Sequence, residues 1–177
     1  MSVEAGFPGI YLVANVNENS IKKEVMLQKG YDAVCYCDIL GHAQQNRNTF
    51  KHKVFKHLQG ILLNRPTHVY DYSKHYKELI GEIDKDENVI PQIVPQWDHS
   101  PRGGRKTNMY IHSTPEYFAK HVRMAMEAIK GKKEEHQILM LKSWNEWAEG
   151  NYMEPDMTHG RGYIDALRQV VEEYKDK

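Results

Sequence analysis

Four short apolar runs, separated by stretches with helical spacing, constrain the fold of this sequence more than any other feature. Near-continuous apolar strands joined by helices are typical of a parallel sheet covered on both faces. Between the first two runs, Ser20 could cap a short helix that continues through Gln28, with Gly30 as its stop signal. The sequence therefore predicts an α/β fold, with residues 1–177 forming a single domain. The buried strands are expected at residues 9–15, 31–37, 89–95 and 137–141.

Three more helices are predicted from caps and apolar spacing. One begins at Asp71 or Ser73 and ends near Ile83. The second begins at a capping box in which Ser113 is the cap and a glutamate lies three residues later. The last follows Gly160, and its expected inward-facing residues are Tyr163, Leu167, Val170, Val171 and Tyr174. Each expected strand is thus followed by helical sequence, which gives four strand–helix units.

The charge balance and the cysteines limit the partners and the cellular location that the sequence predicts. Its 24 Lys and Arg residues match 24 Asp and Glu residues, so nothing in the composition favours nucleic acid as a partner. No apolar run approaches the roughly 20 residues of a membrane span, and residues 1–5 lack the features of a signal peptide. Cys35 and Cys37, two apart on an expected strand, are predicted to be buried thiols in a reducing compartment. We therefore expect a cytoplasmic location.

The connection from Ile39 to Tyr70 is long and basic. It contains no acidic residue but holds five Lys and Arg residues and four histidines. Apolar residues between Phe50 and Leu62 indicate that part of it is helical. Two interpretations stay open: a solvated basic helix face, or a lid that meets an anionic group such as a sugar phosphate.

The sequence at 142–155 is the strongest candidate for a functional site. It follows the fourth expected strand and combines tryptophans, an asparagine and glutamates without helical or strand spacing. Glu146 and Glu149 are three residues apart, so one turn or a tight loop would bring their carboxylates to one side. Glycoside cleavage requires such a pair, one as proton donor and one as base or nucleophile. Trp144 and Trp147 offer flat faces for a sugar ring, and the alternative is a solvated glutamate pair above half-buried tryptophans.

A second polar loop, residues 96–108, follows the third expected strand. Trp97 gives it an aromatic ring, while Asp98 and Arg102 can accept from and donate to sugar hydroxyls. The alternative is that Asp98 pairs with an arginine and only braces the loop. In (β/α)8 enzymes the active site lies at the carboxyl ends of the strands, and both candidate loops fall there.

The motif at 142–155 carries a resemblance to a known family. Ser-Trp-Asn-Glu-Trp-Ala-Glu-Gly-Asn-Tyr-Met-Glu-Pro at 143–155, followed by Gly-Arg-Gly-Tyr at 160–163, resembles the signature of the WbsX-like family. Its members are described as glycosyltransferases of surface-polysaccharide gene clusters, and they are similar to glycoside hydrolase family 99, the endo-mannosidase type. Supporting matches are Gly-Phe-Pro-Gly-Ile-Tyr-Leu-Val-Ala at 6–14 and Pro-Gln-Trp-Asp at 95–98, with Arg102 and Arg105.

The resemblance implies a (β/α)8 TIM-barrel fold, of which this chain would supply roughly the C-terminal half. A complete barrel typically needs about 250 residues. The resemblance also implies that Glu146 is the base that takes a proton from the sugar 2-hydroxyl, and that Glu149 is the acid that protonates the leaving oxygen. Apolar walls from the two motif tryptophans would raise the pKa of that acid. Asn145 would hold a hydroxyl or orient the base, and Glu154 would contact the substrate or brace the loop. No metal or cofactor is expected.

Three functions remain open at this point. The first is glycoside hydrolysis or transglycosylation of an oligosaccharide. The second is glycosyl transfer from an activated sugar phosphate, although the sequence has no glycine-rich phosphate loop. The third is a non-catalytic, sugar-binding half barrel. Because a half barrel exposes two sheet edges, we expect the chain to pair with a copy of itself or with the missing N-terminal half of a longer protein.

Overall fold

Helices and strands alternate along the part of the chain that the computed structural model describes, residues 4–17, 21–37, 68–104 and 107–175. The mixed α/β fold predicted from the sequence is therefore confirmed. The strands are β1 (Val13–Val16), β2 (Ala33–Tyr36), β3 (His68–Asp71), β4 (Gln92–Ile93), β5 (Asn108–Ile111), β6 (Met140–Leu141), β7 (Asn145–Glu146) and β8 (Asn151–Tyr152). The α-helices span Lys23–Gln28, Tyr72–His75, Ser100–Gly103, Pro115–Ile129 and Gly162–Tyr174. Short 3-10 helices span Tyr76–Glu78, Glu82–Lys85, Glu134–His136 and Trp147–Glu149.

Four parallel strands form a row in the order in which they occur along the chain. β1 pairs with β2, and β4 pairs with β6. A parallel bridge between Val34 and Val89 connects β2 to the segment that leads into β4. The four predicted strands thus lie next to one another, as strand–helix units require. The sheets of the described residues are small and unclosed, so the predicted TIM barrel is not confirmed.

Alternate residues of this row pack into two separate clusters. The period-two alternation of a strand sends neighbouring side chains to opposite faces of a sheet. Burial on both faces explains why the strand sequences are apolar almost without interruption. One cluster includes Met26 of the first helix and contains Ala14, Val16, Val34 and Val89. The other contains Ala33, Cys35 and Ile90, with Tyr11, Val13 and Ile138 packed against it.

The two long helices, Pro115–Ile129 and Gly162–Tyr174, pack against each other and against β4. Their shared cluster includes Phe118, Val122, Tyr163 and Val170, all with 2% exposure or less. Val171 is exposed, contrary to prediction, because one step along a helix turns a side chain by about 100° away from its buried neighbour.

The cap of the Pro115–Ile129 helix is one residue later than predicted. Thr114 Oγ1, not Ser113, accepts a hydrogen bond from the backbone N–H of Tyr117 at 3.5 Å. Proline at the first helical position suits this start, since its missing N–H would have no partner inside the helix.

A separate parallel pair, β3 with β5, was not predicted from the sequence. An antiparallel bridge between Asp98 and Met109 attaches this pair to the loop that follows β4. The helix predicted to run from Asp71 to Ile83 is shorter. Asp71 does cap it, accepting from Ser73 N at 3.2 Å, but only Tyr72–His75 is α-helical and 3-10 turns follow.

Two predictions about burial along the parallel strands are wrong. The fourth strand is not buried: Met140 is exposed and Leu141 half-buried. Among the described residues β6 is paired on one side only, which leaves its flank open. Cys35 is buried as predicted, whereas Cys37, just beyond β2, is half-buried, and both thiols are free. Residues 39–67 of the basic connection lie outside the described residues, and 68–70 belong to β3.

Candidate active site

Two loops from the carboxyl ends of β4 and β6 meet at a close backbone contact. The backbone N–H of Asp98 donates to the carbonyl of Glu149 at 2.7 Å. Gly150 follows with φ of +52°, and a Cβ there would lie 3.3 Å from Asp98 Cβ. Both the left-handed backbone and the tight approach require glycine at this position. The two loops that were predicted from the sequence to form the site are therefore joined by a backbone hydrogen bond.

The 142–155 motif folds into a small antiparallel hairpin, β7 with β8, around a single 3-10 turn. Ser143 and Asn151 hold its base. Ser143 N donates to Asn151 Oδ1 at 2.8 Å, and Ser143 Oγ donates to the Asn151 carbonyl at 2.7 Å. The backbone N–H of Glu146 donates to Ser143 Oγ at 3.3 Å. Asn151 is almost completely buried, so these bonds fix the turn that carries both glutamates.

The other loop is held against β5 and rests on aromatic side chains. Tyr110 N donates to the Trp97 carbonyl at 2.7 Å, and His99 N donates to the Asn108 carbonyl at 3.2 Å. Trp97 itself packs against a buried cluster that consists of Tyr70, Tyr72, Tyr76, Leu79, Val94 and Tyr110. The unpredicted β3–β5 pair thus supplies the floor beneath Trp97.

Three side chains of this loop surround the carboxylate of Glu149. Arg102 Nη1 donates to Glu149 Oε1 at 2.8 Å, and Trp97 Nε1 donates to Glu149 Oε2 at 3.2 Å. His99 Nε2 lies 3.3 Å from Glu149 Oε1. Only 16% of the Glu149 side chain is exposed. Both carboxylate oxygens therefore have partners, and all of them come from the loop after β4.

Glu146 shares the arginine of Glu149. Arg102 Nη1 lies 3.9 Å from Glu146 Oε1, in addition to its bond to Glu149. The Glu146 side chain is 42% exposed, so it is far more open to solvent than its neighbour. The expectation that the two carboxylates come to one side is confirmed by this common contact.

The predicted direction of the Glu149 pKa shift is wrong. Partial burial raises the pKa of this carboxyl, but the hydrogen bonds from Arg102 and Trp97 and the nearby charges of His99 and Arg102 outweigh burial. The net pKa lies below its ordinary value, so Glu149 is ionised at rest. The indole that donates to its carboxylate belongs to Trp97, which lies outside the motif.

Trp144 and Trp147 instead lie at the open surface of the hairpin, each 49% exposed. The Trp147 ring stacks on Tyr152, with centroids 3.7 Å apart and planes inclined by 13°. Trp147 Nε1 also donates to Glu154 Oε2 at 2.5 Å. Glu154 is thus engaged in holding Trp147, as the bracing alternative expects.

The remaining predicted residues have different surroundings. Asp98 Oδ1 accepts from Ser100 N at 2.9 Å, at the start of the short helix Ser100–Gly103. Its carboxylate braces the loop and does not pair with Arg102 in any described contact. Asn145 is exposed on β7.

Sequence reasoning missed two basic residues of the site. His99 contacts Glu149, and Lys142 Nζ lies 4.7 Å from the centroid of the Trp97 ring. His99 lies in the 96–108 loop and Lys142 begins the 142–155 motif, so their positions in the sequence could have identified them as site residues.

Within the described residues, no group of three or more His, Cys, Asp or Glu is arranged to hold a metal ion. None of the described helices combines the length and the apolar character that crossing a bilayer requires.

The sequence pattern of the family described as "Glycosyltransferase WbsX" matches residues 1–167 of this chain. The chain belongs to that family. The expectation raised by the 143–155 motif is therefore confirmed at the level of family membership.

Curated relatives and one solved structure are also similar. Two proteins described as "Uncharacterized protein WxcX", from two strains of Xanthomonas campestris pv. campestris, are 29% identical over 104 residues and 31% identical over 101 residues. These matches cover 58% and 54% of this chain but only 15% and 14% of the relatives. A solved structure described as "Glycoside hydrolase-like protein" superposes with a TM-score of 0.52 at 14% identity, over 96% of this chain and 46% of that one. The last match concerns the fold alone.

Proposed function

We propose that this chain is part of a carbohydrate-active enzyme that cleaves or transfers glycosyl groups, with Glu146 and Glu149 as its acid–base pair. The observation that carries the proposal is the position of Arg102, which contacts both carboxylates at the carboxyl ends of two parallel strands. Active sites of (β/α) enzymes lie at that end of the sheet.

The spacing of the two carboxylates fits glycoside chemistry. One guanidinium nitrogen lies 2.8 Å from Glu149 Oε1 and 3.9 Å from Glu146 Oε1, so these oxygens are no farther apart than the sum of the two distances. That bound includes the roughly 5 Å separation typical of retaining glycosidases.

The two glutamates take different parts in the proposed reaction. The family resemblance assigns the base to Glu146 and the acid to Glu149. In the resting structure Glu149 is the carboxylate held ionised by Arg102. An acid must carry its proton before it can give it to a leaving oxygen. Glu149 can therefore serve as the acid only when Arg102 moves away from it, and otherwise the two roles are exchanged.

The aromatic residues are proposed to bind the sugar. Trp144 and Trp147 present half-exposed faces on the hairpin, and the stacking of Tyr152 fixes the orientation of Trp147. Trp97 borders Glu149 at the reacting centre. Asn145 is proposed to hold a sugar hydroxyl beside Glu146. Asp98 and Glu154 are proposed to act indirectly, by bracing the loops that carry the other residues.

Glutamate-to-glutamine variants test this function. We expect Glu146→Gln and Glu149→Gln each to abolish release of sugar from a panel of mannose-rich oligosaccharides, because glutamine neither accepts nor donates the required proton. Glu82→Gln is the matched control, since its side chain is 90% exposed and pairs only with Lys85 in the described contacts. Sugar release that survives both site substitutions at the control rate would contradict the proposal.

A second candidate function is glycosyl transfer from a sugar-phosphate donor, as the family description suggests. The observation that favours it is the group of basic side chains, Arg102, His99 and Lys142, around Trp97. This function predicts consumption of a nucleotide sugar or lipid-phosphate sugar without release of sugar from neutral oligosaccharides. Chromatographic detection of nucleoside diphosphate or lipid phosphate release distinguishes the two. In either form, a role in bacterial surface polysaccharide metabolism in the cytoplasm remains our prediction.

The row of strands is proposed to be half of a (β/α)8 barrel that closes against a second copy of the chain. Apolar residues are exposed beside both outer strands: Phe7, Ile10 and Leu12 precede β1, and Met140 lies in β6. Unpaired strand edges are templates for pairing. Light scattering of the 177-residue chain should therefore give the mass of a dimer, and a stable monomer would count against this closure.

A further inference from the structure

Arg102 is unusually available for a residue in contact with two glutamates. Its side chain is 57% exposed. Both described carboxylate contacts use one terminal nitrogen, Nη1. A guanidinium offers five N–H donors in a planar fork. Donors of Nη2 and Nε therefore remain unused in the described contacts, on a side chain that is open to solvent.

A second cation, Lys142, lies against the ring of Trp97. Lys142 Nζ is 4.7 Å from the centroid of the Trp97 ring, while Nε1 of that ring donates to Glu149. Lys142 is the residue directly before the motif, and Arg102 belongs to the other loop. Trp97 thus links two cations: the Lys142 ammonium lies against its ring, and its Nε1 contacts the Glu149 carboxylate that Arg102 also contacts.

A neutral sugar cannot exploit this arrangement. A hydroxyl group carries no charge, so it cannot replace the attraction between the Arg102 guanidinium and the Glu149 carboxylate. An anionic group can compete on equal terms, because it forms the same charge-assisted and often bidentate bonds.

We propose that the substrate carries an anionic group, a carboxylate or a phosphate, which binds Arg102 and Lys142 beside Trp97 and draws Arg102 away from Glu149. This inference rests on the proposed function of the Glu146–Glu149 pair and names the substrate class of that site. Arg102 stays protonated throughout and exchanges one anionic partner for another.

The exchange of partners prepares the acid. When Arg102 moves away, the pKa of Glu149 rises, because burial raises it and only the Trp97 hydrogen bond and His99 are left to oppose burial. The carboxyl then takes up a proton from solvent more readily, and it can deliver that proton to the leaving oxygen. Two other titratable or charged groups lie nearby. His99 Nε2 is 3.3 Å from Glu149 Oε1, and Glu146 Oε1 is 3.9 Å from Arg102 Nη1. A substrate without the anionic group leaves Glu149 ionised for more of the time, so we expect its turnover to be slower.

Binding can be measured without any turnover. We would titrate the chain with methyl glucuronoside, its neutral counterpart methyl glucoside, and glucose 1-phosphate, and follow the Trp97 indole N–H by NMR, with Trp97→Phe for assignment. We expect the anionic ligands to bind at least about tenfold more tightly than the neutral one. The matched pair of methyl glycosides differs only in the charged carboxylate. Tighter binding of the glucuronoside alone indicates an acidic glycan, and tighter binding of the phosphate alone indicates an activated donor.

Two substitutions should change anion affinity in opposite directions. Arg102→Gln should abolish the preference for the anionic ligands, while Arg102→Lys should retain part of it. Glu149→Gln should tighten anion binding several-fold, because the competitor for Arg102 has been removed. Arg168→Gln is the control, since Arg168 is an exposed arginine paired with Asp165 on the last helix. If Glu149 had only a structural role, Glu149→Gln would not increase the affinity for anionic ligands.

Equal affinity for charged and neutral ligands, or an unchanged preference in Arg102→Gln, overturns this inference even if both glutamates prove essential for turnover. Conversely, if neither glutamate substitution alters turnover, the proposed function fails while the binding preference is judged separately. The two failures are therefore distinguishable.

Discussion

The stability of this protein should depend on pH through one buried histidine, His121. It is completely buried in the Pro115–Ile129 helix. Tyr72 donates its hydroxyl proton to the Val94 carbonyl at 2.7 Å, so the 3.0 Å contact between Tyr72 Oη and His121 Nδ1 has the histidine as donor. Burial lowers the pKa of His121 to about 4, although the backbone of Val94 and Gln92 opposes the shift.

The sign and size of the effect follow from proton linkage. The unfolded chain protonates His121 near its ordinary pKa of about 6.5, whereas the folded chain does so only near 4. Between these values the unfolded state binds more protons, so the free energy of unfolding falls as the pH falls. From pH 7 to pH 5 the loss from this single group is about 2 kcal/mol. The contribution is complete above the unfolded pKa.

Urea denaturation of the wild type and His121→Gln at pH 7 and pH 5 measures this term. Carboxylates also titrate toward the lower end of this range, but they do so in both proteins and cancel in the difference. We expect the wild type to lose about 2 kcal/mol more than the variant over this interval. Tyr72→Phe is the control: it should lower stability by a similar amount at both pH values and keep the wild-type slope, since His121 stays buried. Identical slopes for the wild type and His121→Gln would refute the reasoning.

Four further predictions concern the site itself. Arg102→Gln should raise the pKa of Glu149 measured by carboxyl carbon NMR, because the strongest group holding it ionised is lost; an unchanged pKa would mean that another group sets it. Gly150→Ala should cost about 1–2 kcal/mol in urea denaturation, since its φ of +52° strains any side chain, and full stability would argue against the tight contact between loops. Asn151→Ala should cost about 1–3 kcal/mol by removing a buried acceptor. Asn145→Ala, on the exposed side of the hairpin, should leave stability unchanged and weaken sugar binding measured by calorimetry.

The central row of strands could be predicted because its signal is local. A run of apolar residues at each strand reflects burial on two faces, and Gly30 ends the first helix at a positive φ of 89°. The β3–β5 pair had no such signal. His68–Asp71 and Asn108–Ile111 are four residues long and each begins with a polar residue, and they become strands only because they pair with each other across about forty residues. Pairing of this kind is a tertiary event that local patterns do not encode.

The location of the site was also predictable, but its internal contacts were not. Motif spacing brought Glu146 and Glu149 together, and strand ends brought the two loops to one face. Spacing did not indicate which tryptophan would donate to the Glu149 carboxylate. Trp147 stacks on Tyr152, and Trp97 contacts the carboxylate from another loop. Side-chain direction in a hairpin depends on its exact turn, here fixed by Gly150.

The charge state of the proposed catalytic pair therefore depends on a residue that the motif does not contain. Arg102 precedes Glu149 by 47 residues and reaches it only because the loops after β4 and β6 are joined by a backbone hydrogen bond. Two carboxylates in one cleft repel each other. The guanidinium that contacts both offsets this repulsion and helps to lower the pKa of Glu149. A chain with the same 143–155 motif but no arginine at this position would keep the pair and lose the control of its ionisation. In the proposed mechanism the motif thus supplies both carboxyl groups, while the loop after β4 determines which of them can act as the acid.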